Sequence, residues 1–208
     1  MKKIILVLSS LLFCSALQAK PIAQSADRVM PLLNGQFVPD VQVVDIGGAS
    51  RSLKEITMDK KTILFFYRGG WCPFCNTQMG QLQKVEASLK KLGFQLIGIS
   101  TDAPNTLSES VQKHELGYQL FSDFNSTASQ AFGLAFFTSK KITNRYLAKM
   151  KLTNPLQKNV EGEARLVLPV PAIYVIDTQG LVQFSYVNPN YKVRLHEEVL
   201  LKAAELVR

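Results

Sequence analysis

Two cysteines three residues apart, Cys72 and Cys75, stand behind an apolar run and two glycines, in Ile63-Leu-Phe-Phe-Tyr-Arg-Gly-Gly-Trp-Cys-Pro-Phe-Cys75. Thiols at that spacing on the first turn of a helix can close a disulfide without moving the backbone. The Cys72–Cys75 pair therefore suits a reversible two-electron switch. A helix start presents unpaired N–H groups and the positive end of the helix dipole, and both lower a thiol pKa. Cys72 is the expected attacking sulfur, partly exposed, with the N–H groups of Phe74 and Cys75 facing it. Pro73 fits the first turn and donates no N–H. Cys75, one turn in and less exposed, is the expected resolving thiol. Arg68 at the strand end either lends positive potential to the thiolate or is a solvated charge. Gly69, Gly70, Trp71, Pro73 and Phe74 border the pair, Trp71 as a packing residue.

Two other uses of a Cys-x-x-Cys pair weigh against this one. It is half of a zinc site, but such sites normally need four ligands. Once Cys14 is set aside with the leader described below, no second cysteine pair remains, and His114 and His196 are isolated. No metal and no cofactor is expected. A purely structural staple is disfavoured because closing so short a loop removes little unfolded-state entropy.

The elements that must hold the pair read as alternating strands and helices. Lys61 to Tyr67 is a continuous apolar run of the kind covered on both faces. From Phe74 to Leu92 the residues Met79, Leu82, Val85, Leu89 and Leu92 recur at helical spacing, and Gly93 ends that helix. Phe94 to Ser100 is a second buried strand. Thr101-Asp102-Ala103-Pro104 starts a helix expected to run to Glu115 or Leu116 and stop at Gly117. Val41 to Asp45 and Tyr118 to Phe121 read as strands, and Thr127 to Phe132 as a short helix. Ala172 to Asp177 and Leu181 to Val187 form a hairpin about Thr178-Gln179-Gly180, and Leu195 to Val207 is a closing helix. The alternation implies an α/β fold with a central mixed β-sheet flanked by helices. Residues 139–165 fit least well. They are basic, with Lys140, Lys141, Arg145, Lys149 and Lys151, and read as an inserted helix plus loop.

The chain has 208 residues, a hydrophobic fraction of 47% and a charged fraction of 19%, values of a globular domain. Lys2 and Lys3, the apolar stretch Ile4 to Phe13 and Ala19 compose a secretory leader over residues 1–19. Phe13 before Cys14 argues against a lipid anchor, and no stable membrane anchor is expected. Cleavage would remove the charges of Lys2 and Lys3, which takes the formal +8 to +6. Residues 20–33 then form a lead-in and 34–208 the domain proper. An exported chain with one even cysteine pair fits an oxidising compartment, periplasmic or extracellular. Nucleic acid is not an expected partner there.

The residues of this chain resemble the thioredoxin-like superfamily, in its redoxin branch of alkyl hydroperoxide reductase/thiol-specific antioxidant proteins. Gly35-Gln-Phe-Val-Pro-Asp40, Phe66 to Cys75, Leu96-Ile-Gly-Ile-Ser-Thr-Asp102, Leu120-Phe-Ser-Asp123, Pro169 to Asp177 and Asn188 to Arg194 carry the resemblance, in order. Cys72-Pro-Phe-Cys75 is similar to a peroxiredoxin-like subgroup with a Cys-Pro-aromatic-Cys site. The resemblance implies a thioredoxin-like fold. It also implies a cis-proline at Pro171 against the cysteines, with the Val170 backbone open to pair with a substrate strand.

Departures from the family pattern carry weight. Typical peroxiredoxins have a threonine or serine three residues before the reactive cysteine, where Gly69 stands here. Their facing arginine aligns with Pro171, and thioredoxin's buried acid with Phe66. Peroxide reduction needs in-line placement of the O–O bond and stabilisation of the leaving oxygen. Exported thiol–disulfide exchange on protein or small-molecule substrates is therefore the first expectation. A thiol peroxidase, with hydroperoxides as substrates and a thiol electron donor, is the second. A non-catalytic binding module is the third; its basic 139–151 segment would meet an acidic partner or a membrane surface, although a solvated helix face is the plainer reading of such a run.

Overall fold

A computed structural model describes residues 20–207, and the expected leader lies outside the described residues. After a single 3-10 turn at Ala26–Arg28, the chain forms β1 (Gln42–Asp45), β2 (Ser50–Ser52), α1 (Leu53–Thr57), β3 (Lys61–Tyr67), α2 (Pro73–Lys91), β4 (Phe94–Ser100) and α3 (Pro104–His114). There follow β5 (Gln119–Ser122), α4 (Thr127–Ala131), β6 (Ala135–Phe137), α5 (Lys140–Met150), β7 (Gln157–Lys158) and β8 (Ala164–Arg165). The chain closes with β9 (Val167–Pro169), β10 (Ala172–Ile176), β11 (Val182–Val187) and α6 (Glu197–Leu206).

Seven strands make one mixed sheet in the order β11-β10-β3-β4-β5-β1-β2. β3, β4 and β5 run parallel, whereas β10 lies antiparallel to β3 and β1 antiparallel to β5. The continuous apolar run of β3 is explained by its position. Ile63, Phe65 and Tyr67 enter a core shared with α2, α3 and α6, while Leu64 and Phe66 enter the core on the other face, with Leu53 of α1 and Phe132 after α4. Each such side chain contributes about 1.5–3 kcal/mol by leaving water. On α2, Met79, Leu82, Val85 and Leu89 are the buried stripe, and Gly93 after the helix has φ +85°.

α3 ends at His114, one or two residues short of the expected Glu115 or Leu116. Glu115 takes a left-handed conformation (φ 48°), and the N–H groups of Glu115 and Leu116 close on Gln112 and Val111 carbonyls. β2, α1, β6 and β9 are elements that periodicity does not reveal, because three to five residues carry too little alternation. β6 and β9 pair antiparallel, Ala135 opposite Pro169 and Phe137 opposite Val167. That ladder clamps the base of the 139–165 insertion, which holds α5 and the β7–β8 hairpin. The lead-in lies along the same region: Ala23 N–H donates to Ala135 O at 3.0 Å and Met30 N–H to Gly133 O at 3.1 Å. No described helix is long and apolar enough to cross a membrane.

The C-terminal ends of β3 and β4 and the start of the antiparallel β10 meet along the rim where the strands end and α2 and α3 begin. In open α/β sheets that rim is where ligands bind.

Candidate active site

Residues 68–71 turn the chain from β3 into α2 and are tied from three sides. Gly70 N–H donates to Asp102 Oδ2 at 2.7 Å, Thr101 Oγ1 to Arg68 O at 3.2 Å, and Asn76 Nδ2 to Gly70 O at 2.9 Å. Asp102 is buried, which pushes its carboxyl up despite the Gly70 and Ser100 donors. Gly69 has φ +143°, and a Cβ there would collide with Trp71 Nε1 and sit 2.6 Å from Asp102 Oδ1. Only glycine lets the loop pass between Trp71 and Asp102.

Cys72 is the N-cap of α2 and Pro73 its first residue, as the sequence predicts. Both cysteines are free thiols. Cys72 is only 1% exposed, against the partial exposure expected. The turn at 68–71, α5 and the segment around Pro189–Tyr191 cover it, and it instead lines a cavity of about 430 Å³. Its thiol is lowered to about 6, first by a hydrogen bond from the Cys75 thiol. The Cys75 N–H and the charges of Arg68 and Arg194 add to this, against the cost of burial. The Cys75 N–H also bonds the Cys72 carbonyl oxygen at 3.0 Å, so it is shared and not devoted to the sulfur. Burial, together with Cys72 next to it, pushes the Cys75 thiol well up. The two sulfurs are thus split into an anion-prone one facing the cavity and a neutral one behind it.

Two arginines flank them. Arg68 is 4% exposed, so it is no solvated charge. Its Nη2 donates to Tyr146 Oη at 2.7 Å, and its guanidinium carbon lies 4.1 Å from the Tyr191 ring centroid and 5.1 Å from that of Trp71. No carboxylate pairs with it among the described residues. Aromatic faces partly offset the cost of burying the charge without cancelling its field. Arg194, just before α6, donates through Nη2 to Cys75 Sγ at 3.3 Å and through Nη1 to Gln78 Oε1 at 2.9 Å.

Of the residues expected at the site, Arg68, Trp71, Cys72, Pro73, Phe74 and Pro171 line the cavity. Gly69 and Gly70 stand behind it as backbone hinges. Val170 and Pro171 need correction. No cis peptide occurs among the described residues, so Val170–Pro171 is trans. The Val170 N–H is not open to a substrate strand, because it extends the β6–β9 ladder by donating to Leu134 O at 2.9 Å. His114 ends α3, and the exposed His196 caps α6; neither approaches the sulfurs as a hydrogen-bond partner.

Sequence reasoning missed Tyr146, Tyr191, Arg194, Gln78 and Asp102. Tyr146 and Thr143 are the buried side of α5, whose lysines Lys140, Lys141 and Lys149 face solvent. Tyr191 and Arg194 belong to the Asn188–Arg194 stretch that carries part of the family resemblance, and that was the available signal.

The sequence profile of the AhpC/TSA family matches residues 34–185. The chain is similar to the putative peroxiredoxin bcp of Haemophilus influenzae, 36% identical over 75 residues, 36% of this chain and 48% of that protein. It is similar to peroxiredoxin Bcp of Escherichia coli K12, 31% identical over 104 residues, 50% of this chain and 66% of that protein. The chain thus spans about half to two thirds of the length of these relatives. Among solved structures, peroxidoxin BcpB from Mycobacterium tuberculosis superposes with a TM-score of 0.63 at 20% identity, covering 84% of this chain and 97% of that one. The expected architecture, a thioredoxin-like α/β fold with a central mixed sheet flanked by helices, is the one found.

Proposed function

This chain belongs to the AhpC/TSA family, and from that premise we propose that it is a thiol-dependent peroxidase, with Cys72 the peroxidatic and Cys75 the resolving thiol. This reverses the order of the expectations drawn from Gly69 and Pro171. What carries the reading is Arg68: its unneutralised charge sits in the same buried wall as a Cys72 thiol lowered to about 6. It lines the same cavity as Cys72 and Pro171, and in this reading supplies the charge that the arginine lacking at Pro171 would give. The peroxiredoxin names of the similar proteins support the same reading.

The chemistry balances on these residues. The Cys72 thiolate attacks one oxygen of a hydroperoxide, the O–O bond breaks, and the departing oxygen takes a proton and leaves as an alcohol or water. Positive potential from Arg68 favours both the thiolate and the departing oxygen. Cys72 becomes a sulfenic acid, and Cys75 condenses with it to form the disulfide and one water. A thiol electron donor then returns both sulfurs to the reduced state by exchange. On the strength of residues 1–19, this cycle runs outside the cytoplasm, in the periplasm or beyond.

Thiol–disulfide exchange is the second reading, and the absence of a hydroxyl at Gly69 favours it. Trp71, the single tryptophan, separates the two. Rapid mixing with hydrogen peroxide or cumene hydroperoxide is expected to change its fluorescence in a fast, peroxide-dependent phase. A slow response to both peroxides, with rapid exchange against a small disulfide, would move the assignment to the second reading.

A further inference from the structure

The peroxidatic half of this site is explained by Cys72 and Arg68, but the resolving half has a difficulty. Burial makes the neutral thiol the resting form of Cys75, and the neutral thiol is a poor nucleophile. The acid that thioredoxin uses as proton acceptor is replaced here by Phe66, a core residue. What touches Cys75 instead is a cation from the far end of the chain. We propose that Arg194 is a catalytic residue of the resolving step, its guanidinium stabilising the Cys75 sulfur as the anion that closes the disulfide.

The contact has the form of a built site. Nη2 donates to Cys75 Sγ at 3.3 Å while Nη1 donates to Gln78 Oε1 at 2.9 Å. Gln78 is buried and stands three residues after Cys75, so both acceptors lie on one face of α2. A planar guanidinium fork reaches two such points with its orientation fixed, which a lysine cannot do. Leu195, the next residue, is buried in the same core cluster as Cys72 and Cys75 and holds the arginine in place. Arg194 pairs with no carboxylate among the described residues, and its Nε is buried without a partner. Its charge is therefore free to act on sulfur. The titratable and charged groups facing Cys75 are Cys72 on its own helix cap, Arg194 from the loop before α6 and Tyr67 from β3. Arg194 is the charge among them that favours the anion, aided to a lesser degree by the Arg68 backbone N–H.

The step balances. Cys75 Sγ attacks the sulfur of the Cys72 sulfenic acid, the S–O bond breaks and the S–S bond forms. The oxygen leaves with the proton that Cys75 gave up, as water. The sulfenic sulfur is reduced and the thiol sulfur oxidised, with the hydroperoxide as the earlier oxidant. This inference rests on the peroxidase reading, because it needs Cys72 to be oxidised first.

Arg194→Met and Arg194→Lys, followed by stopped-flow Trp71 fluorescence and by dimedone trapping of sulfenic acid, test it. In Arg194→Met the peroxide-dependent first phase is expected to slow by less than the second, since Arg194 also favours the Cys72 thiolate but less than Arg68 does. The second phase slows about tenfold to a hundredfold, as for a lost hydrogen bond to a charged group. Its pH midpoint rises, sulfenic acid accumulates, and excess peroxide drives Cys72 to the sulfinic acid. Arg194→Lys restores part of the rate by its charge. Should Arg194→Met resolve at the wild-type rate, or slow without any change in pH profile and without rescue by lysine, the inference is overturned. Wild-type protein that forms no trappable sulfenic acid, even as Cys75→Ser, instead overturns the peroxidase reading. A second measurement does not depend on peroxide. In Cys72→Ser protein, the pH at which Cys75 becomes alkylated by iodoacetamide is expected to shift upward when Arg194→Met is added, and an unchanged midpoint counts against the role.

Discussion

The division of labour between two sulfurs of identical chemistry comes from single neighbours. Cys72 borrows a proton donor from Cys75 and potential from Arg68, and is lowered to about 6. Because the thiolate is the reactive form, alkylation of Cys72 should rise as pH increases through about 6 and level off above it. Arg68→Met should move that midpoint upward and slow peroxide reduction by about a hundredfold, read by iodoacetamide kinetics and peroxide consumption; an unshifted midpoint would remove Arg68 from the mechanism. Gly69 permits a sharper test. Restoring the family's hydroxyl as Gly69→Ser should not raise activity. The added Cβ would strike Trp71 and Asp102 at φ +143°, at a cost of about 2–4 kcal/mol, visible in urea unfolding. Higher activity with unchanged stability would show that the loop has room after all.

At the scale of elements, the parts that position the thiols were legible and the parts that cover them were not. β3, α2 and β4 announce themselves because a long apolar run, a helical stripe and a terminal glycine all agree over many residues. β6 and β9 are three residues each, and their pairing joins positions thirty or more apart. Tyr146 meets Arg68 across 78 residues, and Arg194 meets Cys75 across 119. No local period encodes such meetings. The basic insertion was visible as charge, but the function of α5 lies in its buried side. Tyr146→Phe should leave Arg68 Nη2 without its acceptor, cost about 1–3 kcal/mol and reduce the peroxide rate, since the guanidinium loses its fixed position. Thermal unfolding with single-turnover kinetics checks both, and a loss of stability alone would confine Tyr146 to packing.

For the whole molecule, the rim of the sheet is the organising fact. The ends of β3 and β4 supply Arg68 and Asp102, the start of β10 supplies Pro171, and α6 is preceded by Arg194. Four stretches far apart in sequence converge on one pair of sulfurs, which is why the motif alone left peroxide reduction and disulfide exchange both open. The family resemblance carries the fold in its pattern order, while the proposed reaction rests on an arginine whose direction no motif states. The proposed export belongs to this scale as well. Expression in a secreting bacterial host should yield a mature chain beginning at Lys20, measured by intact mass and N-terminal sequencing. A cell-retained product that keeps Met1 would place the cycle in a reducing compartment.

The β6–β9 ladder closes the chain into a loop above the dithiol. Phe137 and Val167 are held opposite one another, so everything between them hangs from a closed base. The roof over the dithiol is thereby a cassette. β3 and α2, which carry the dithiol, lie outside that base, while Tyr146 reaches Arg68 from within it. A segment grafted there alters what reaches Cys72 and keeps Arg68 in position only if it returns a hydroxyl to the place of Tyr146 Oη.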